Sequence, residues 1–290
     1  LAESDYDSAF LCHSKALELA KSKSNPVNYL SASSYQNLGI AAHLRGDFSK
    51  AEEFYTHSLF IKEELFYKGD PALAKIYGNI GKFYADVSNY KIALEYYDKA
   101  EKLLQKKYKQ DDLQFAYIFW NKGNIYTLQG DLAKASSYLL KSLYILNSNL
   151  PQFSPDLAKI SLDLGLIYEK KGDINLAIDF YNKTTINKEN SIIVKAYRNL
   201  GNIYKSINLA DSANKYYNLS ISYANYFNNN DYEFALCYQY YGEFLFKQGD
   251  LLLTSSMYKN AANLLISLFG QKNKDLSGNY ILQSKYYKAI

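Results

Sequence analysis

Along this chain one phrase of small, bulky and polar positions occurs six times. It is clearest in Ile80-Gly81-Lys82-Phe83-Tyr84, and the other copies hold Leu38-Gly39, Lys122-Gly123, Leu164-Gly165, Leu200-Gly201 and Tyr241-Gly242. Successive glycines are 42, 42, 42, 36 and 41 residues apart. A recurring step of that size marks stacked supersecondary units, each burying its apolar face against the next.

The rest of the phrase predicts two helices per unit. A large side chain follows the glycine three residues on at Tyr84, Tyr126, Tyr168, Tyr204 and Leu245, with Ala42 the exception. Seven residues after the glycine comes a turn: Gly46-Asp47, Gly130-Asp131, Gly172-Asp173, Gly249-Asp250, or more loosely Ser88-Asn89 and Asn208-Leu209. Glycine there ends one helix in the left-handed conformation, and Asp caps the next by accepting a backbone N–H. Small residues follow at Ala51, Ala93, Ala135, Ala177, Ala213 and Thr254, and bulky ones four later at Tyr55, Tyr97, Leu139, Tyr181, Tyr217 and Tyr258. Residues four apart share a helical face, so a neighbouring helix can approach over the first and pack against the second.

This pattern of Gly, aromatic, turn, Ala and aromatic resembles the tetratricopeptide repeat over essentially the whole chain. The common repeat has a period of about 34 residues. The longer step is similar to the long-helix variant of kinesin light chains and many bacterial arrays, with about one helical turn added to each helix. The resemblance implies an all-α fold, a right-handed α-solenoid of antiparallel helix pairs, as a single array over residues 1–290. In that register 1–24 is the second helix of a truncated repeat. Full repeats occupy 25–67, 68–109, 110–151, 152–188, 189–229 and 230–271, and 272–290 is the first helix of a further truncated one.

Asn25-Pro26, Asp70-Pro71 and Ser154-Pro155 each read as an N-cap followed by a first helical residue, where proline loses no hydrogen bond. The joints at 109–112 and 228–231 are short and polar, and no linker divides the chain. The 36-residue step places a deletion near 184–191, in a second helix, where a changed stacking angle is expected.

Composition narrows function mainly by exclusion. A formal charge of +4 on 290 residues is too small to imply nucleic acid or an acidic membrane. No 18-residue apolar run predicts a membrane span. Cys12 and Cys237 lie several repeats apart and read as small buried hydrophobes. His13, His43 and His57 share no metal-ligand spacing, so no metal, cofactor or catalytic set is expected and the chain reads as a non-enzyme. The expected compartment is the cytoplasm, with secretion or a periplasmic place left open by the truncated start. Most of the 31 tyrosines fall on packing positions.

Packing leaves another register unexplained. Two residues before each glycine stand Asn37, Asn79, Asn121, Asp163, Asn199 and Tyr240. Asn is mildly unfavourable in a helix because its amide competes for backbone groups. A carboxamide offers donor and acceptor together, so it can hold a peptide group whatever the ligand's side chains. The family resemblance implies that this register lines a concave groove, where an Asn ladder holds the main chain of an extended peptide. The same amides can instead bond across adjacent first helices and only stabilise the stack. Lys75, Lys159, Lys195, Arg198, Lys82, Asn124, Asn202 and Lys205 share the inner face. They predict a mildly basic surface suited to an acidic peptide. Arg198 and Asn202 match two places of the family's carboxylate clamp, but Tyr240 stands where Asn is wanted, so the full clamp is absent. Tyr117, Trp120, Tyr240 and Phe246 add aromatic groups, and Trp120 is the chosen hot-spot candidate. The expected function is a protein-interaction scaffold. Its alternatives are a sensory module controlling an attached effector such as a peptidase or kinase, and a unit that self-associates head to tail through open ends.

Overall fold

The computed structural model describes residues 3–21, 28–67, 69–109, 111–186, 188, 191–227, 232–271 and 274–289. Asn25 and Pro26 lie outside them, and the helix expected there starts at Tyr29 with Asn28 as N-cap. Fourteen α-helices and no strand are found among the described residues. They form two compact units, Leu1–Asn149 and Leu150–Ile290.

The first unit holds α1 (Glu3–Lys21), α2 (Tyr29–Leu44), α3 (Phe48–Leu65), α4 (Ala74–Asp86), α5 (Tyr90–Leu104), α6 (Leu113–Leu128) and α7 (Leu132–Asn149). The second holds α8 (Pro155–Lys171), α9 (Ile174–Thr184), α10 (Ile192–Ser206), α11 (Ala210–Phe227), α12 (Tyr232–Gln248), α13 (Leu251–Phe269) and α14 (Lys274–Ala289). The strongest packing joins α2 with α3, α4 with α5, α6 with α7, α8 with α9, α10 with α11 and α12 with α13. Each unit is therefore a stack of helical hairpins. At 11 residues α9 is shorter than the 18 of α7 or α11, at the place where the sequence step shrinks.

Every hairpin turns by the same device. Gly46, Gly130, Gly172 and Gly249 take φ near +80°, and Ser88 and Asn208 adopt the same left-handed conformation at +63° and +60°. The next residue's N–H then reaches back to the carbonyl five residues before it, in the last turn of the first helix: Asp47 to Ala42, Asn89 to Tyr84, Asp131 to Tyr126, Asp173 to Tyr168, Leu209 to Tyr204 and Asp250 to Leu245. Side-chain caps close the second helices at Asp47, Asn89, Asp131 and Asp250. Asp173 occupies the cap position of α9 without a side-chain bond.

Close approach across each hairpin explains the recurrent glycine. A Cβ on Gly39, Gly81, Gly165, Gly201 or Gly242 would lie 2.5–2.8 or 2.9 Å from the ring of the tyrosine sixteen residues on, and one on Gly123 would lie 2.7 Å from Leu139. Tyr97, Tyr181, Tyr217 and Tyr258 are among the largest fully buried side chains. Three hairpins add a buried hydroxyl staple: Ser58, Ser142 and Ser220 each donate to a carbonyl of the partner helix, at Ala32, Ala116 and Val194, over 2.8, 2.8 and 2.9 Å.

Candidate functional site

The register two residues before each glycine falls on the first helix of each hairpin, and the amides there have different fates. Asn37 on α2, Asn79 on α4, and Asn121 and Asn124 on α6 are half-buried. Asn199 on α10 is buried and accepts from Arg198 Nη2 at 3.4 Å. Asn202 Oδ1 accepts from the Tyr217 hydroxyl at 2.6 Å. Trp120 is half-buried, while Lys159 and Tyr240 are exposed.

In the second unit the basic charge expected on α10 is consumed internally. Glu233 of α12 pairs with Lys195 at 3.2 Å and with Arg198 at 2.6 Å. Lys205 faces Glu243 at 4.0 Å, and the Tyr240 ring lies 5.4 Å from the Arg198 guanidinium and 5.9 Å from the Lys205 ammonium. Phe246 packs edge-on to Tyr286. These groups tie α10 to α12 and leave little unpaired charge. The sequence counts Lys195 and Arg198 as available cations; the structure spends both on one carboxylate.

The first unit is different. A cavity of about 340 Å³ opens between α4 and α6, with Lys75, Asn79 and Lys82 on one side and Gln114, Tyr117 and Asn121 on the other. Its floor includes Gly78, Ile118 and the fully buried Tyr97. Two buried polar atoms there, Asn79 Nδ2 and the Tyr97 hydroxyl, meet no hydrogen-bond partner among the described residues. The sequence explains the second. Tyr181 donates to Glu169, four residues after its glycine, and Tyr217 to Asn202, one residue after. In the Tyr97 hairpin those places hold Ala85, which has no acceptor, and Lys82, which can only donate. Burial, and secondarily Asp86, pushes the Tyr97 phenol far up, so it keeps its proton.

Charge around this cavity is positive. Lys75 has no carboxylate within 4 Å among the described residues, and Lys82 shares Asp86 at 3.4 Å. Near Lys75 lies Lys62 of α3, 5 % exposed and bonded to Gln36 Oε1. Burial first, and Lys75 second, lower its pKa from 10.5 to about 8. Sequence reasoning passed over Lys62, although the next two repeats hold buried Leu104 and Leu146 in its register. It also passed over Lys122, which stands where Leu38, Ile80 and Leu164 are apolar and is buried against Asp98 at 2.6 Å and Glu101.

Other expected features sort as follows. Cys237 is buried, but Cys12 is exposed: its register holds Phe54 and Tyr96 in the next two repeats, which pack on the first helix of their own hairpin, and no described helix precedes α1. Among the described residues no group of three or more His, Cys, Asp or Glu side chains could hold a metal. No helix among them is long and apolar enough to cross a membrane.

Stacked hairpins with close glycine–tyrosine contacts and a polar register two residues before the recurrent glycine define a helical-repeat scaffold. The tetratricopeptide repeat profile matches residues 1–64, 72–148 and 114–185, and the chain belongs to that family, one of protein-interaction scaffolds. None of the curated proteins compared matches the sequence. Among solved structures it is similar to the apo form of the quorum sensor NprR from B. thuringiensis. That match has a TM-score of 0.69 and 16 % identity, over 99 % of this chain and 82 % of that one. BtubC (BKLC) from P. vanneervenii matches with a TM-score of 0.67 and 22 % identity, over 77 % of this chain and 92 % of that one. The nearly identical TPR-like repeats of a putative kinesin light chain from Podosopora anserina match with a TM-score of 0.57 and 10 % identity, over 68 % and 96 % of the two chains.

Proposed function

We propose that this scaffold holds an extended, acidic peptide of a partner protein in the α4–α6 cavity. The observation that carries the reading is the pair of buried donors without a partner among the described residues, Asn79 Nδ2 and the Tyr97 hydroxyl, on two residues that line a cavity whose lining cations are Lys75 and Lys82. An unsatisfied buried donor is costly, so an entering carbonyl or carboxylate gains the bond without displacing a protein partner. Asn79 and Asn121 supply the amides for the peptide main chain, and the lysines select acidic side chains. Asn37, Trp120 and Asn124 of the same unit stand in or beside that register and supply secondary contacts, whereas Lys195, Arg198, Asn199 and Asn202 of the second unit are held by their own neighbours and Lys159 and Tyr240 lie with them outside this site.

The test is fluorescence anisotropy with a labelled peptide of alternating Glu and Ala, against its Lys-Ala counterpart. Asn79→Ala should weaken the acidic peptide about two- to tenfold, the value of one net hydrogen bond. Tyr97→Phe should weaken it comparably while leaving thermal stability unchanged or raised, because the lost hydroxyl has no partner among the described residues. Lys75→Glu should reverse the charge preference. Parent-like binding by all three variants, or equal affinity for both peptides, contradicts the proposal.

A further inference from the structure

A second and larger cavity lies between α5 and α7, apart from the Asn79 register. It measures about 720 Å³ and is floored by Phe115, Phe119 and Ile145. Leu140 and Tyr144 form its lip at 40 % and 69 % exposure. Its neighbour in the stack shows why it is open. Between α3 and α5 the Tyr77 hydroxyl donates to Glu63 at 3.0 Å, and Lys99 lies over the Tyr77 and Tyr96 rings. That bridge spans the furrow. Forty-two residues on, Glu63 becomes Gln105 and Tyr77 becomes Phe119. Phe119 has no hydroxyl to donate, and the Gln105 amide turns to Glu101 on its own helix at 3.4 Å. The lysine over the two rings is kept, as Lys141, but the hydroxyl–carboxylate bond that tied α4 to α3 has no counterpart between α6 and α5, and there the furrow opens onto its apolar floor.

The surrounding charge favours an anionic occupant. Glu101 is consumed by buried Lys122. Lys141 lies over the Phe119 and Tyr138 rings at 5.8 and 5.4 Å, and neither it nor Lys109 has a carboxylate within 4 Å among the described residues. Among the other lining residues Asp111 alone opposes them, one carboxylate against two lysines. The exposed lip argues for a ligand that continues beyond the cavity, as a protein segment does, rather than one enclosed by it.

We propose that the α5–α7 furrow is a second docking site, taking a partner segment that presents an aromatic side chain flanked by carboxylates. The ring enters between Phe115, Phe119 and Ile145, its edge against Tyr144, and the carboxylates meet Lys109 and Lys141.

The probe is a labelled peptide with a central 4-fluorophenylalanine between paired glutamates, titrated into the full chain carrying Asn79→Ala and Lys75→Glu to suppress inner-register binding. Saturable binding with a shifted fluorine resonance is expected. Gln105→Glu with Phe119→Tyr, which transplants the Tyr77–Glu63 bridge, should close the furrow and weaken binding at least tenfold with an unchanged helical spectrum. Lys141→Glu, at an exposed position, should weaken this peptide and favour its lysine-flanked analogue. Undiminished affinity in both variants overturns the proposal. So does equal binding of the two peptides, or saturation by 4-phenylbutyrate while the peptide fails to bind.

Discussion

Gly81→Ala and Gly78→Ala place the same methyl group on the same helix, one turn apart, with opposite expected results. At Gly81 the new Cβ would sit 2.9 Å from Tyr97 Cε1, 3.0 Å from Cδ1 and 3.1 Å from Cζ. Tyr97 is 1 % exposed, so its ring cannot swing into solvent and must push its neighbours by several tenths of an ångström. Overpacking of this kind costs about 1–3 kcal/mol, and Ala returns up to about 1 kcal/mol of helix propensity. The net expectation is a loss of about 0–2 kcal/mol. At Gly78 nothing lies within 4 Å of the added Cβ, so only the propensity gain of about 1 kcal/mol remains. Urea unfolding followed by circular dichroism would rank the two variants. Amide exchange in α4 and α5 would localise the change, since repeat arrays need not unfold in one step. Gly165→Ala, with its Cβ 2.5 Å from Tyr181, should be the most destabilising of the series. If Gly81→Ala proves as stable as Gly78→Ala, the steric account of the recurrent glycine is wrong.

Two buried lysines give further tests. Lys62 titrates near 8 in the folded protein against 10.5 when exposed, so the unfolded chain binds more protons between those values and stability rises with pH across that window. Below it the parent carries a penalty of at most about 3 kcal/mol, reduced by partial solvation and by the Gln36 bond. Lys62→Leu, the residue of the next two repeats, should therefore stabilise the protein at neutral pH by about 1–2 kcal/mol after the Gln36 acceptor is stranded. That gain should shrink as pH climbs from 8 towards 10.5; a gain constant with pH would refute the assignment. At Lys122 burial opposes the charge, but Asp98 and Glu101 outweigh it and raise the pKa. Lys122→Met should cost about 1–3 kcal/mol by stranding two carboxylates. The penalty should be present below 10.5 and lost as pH rises through the raised value, which parallel thermal melts would show.

The hairpin stack was legible because its signals repeat. Gly81 and Tyr97 mean little alone, but a glycine and a bulky residue sixteen apart in all six hairpins, tyrosine in five of them and with a turn between, leave one packing solution. Ser88 and Asn208 were readable as turns only because glycines held that place elsewhere. What escaped the sequence is what does not repeat. Glu233 lies 35 residues from Arg198, off the dominant step, so its capture of two cations had no periodic trace. The open Tyr97 hydroxyl depends on what Ala85 and Lys82 lack, and a missing acceptor is visible only once neighbours are in place. Lys62 and Lys122 were detectable in principle as lysines in columns of leucine and isoleucine. The inner-register asparagines gave the position of the candidate site, but not which amides are already engaged.

The most direct measurement is the side-chain amide resonance of Asn79 in ¹⁵N-labelled protein, followed as the Glu-Ala peptide is added. The account expects the Asn79 Nδ2 protons to move downfield and gain protection from exchange, with the Tyr97 hydroxyl protected in parallel. Binding that leaves both groups unmoved would mean that the peptide docks elsewhere and that the α4–α6 cavity is not its site.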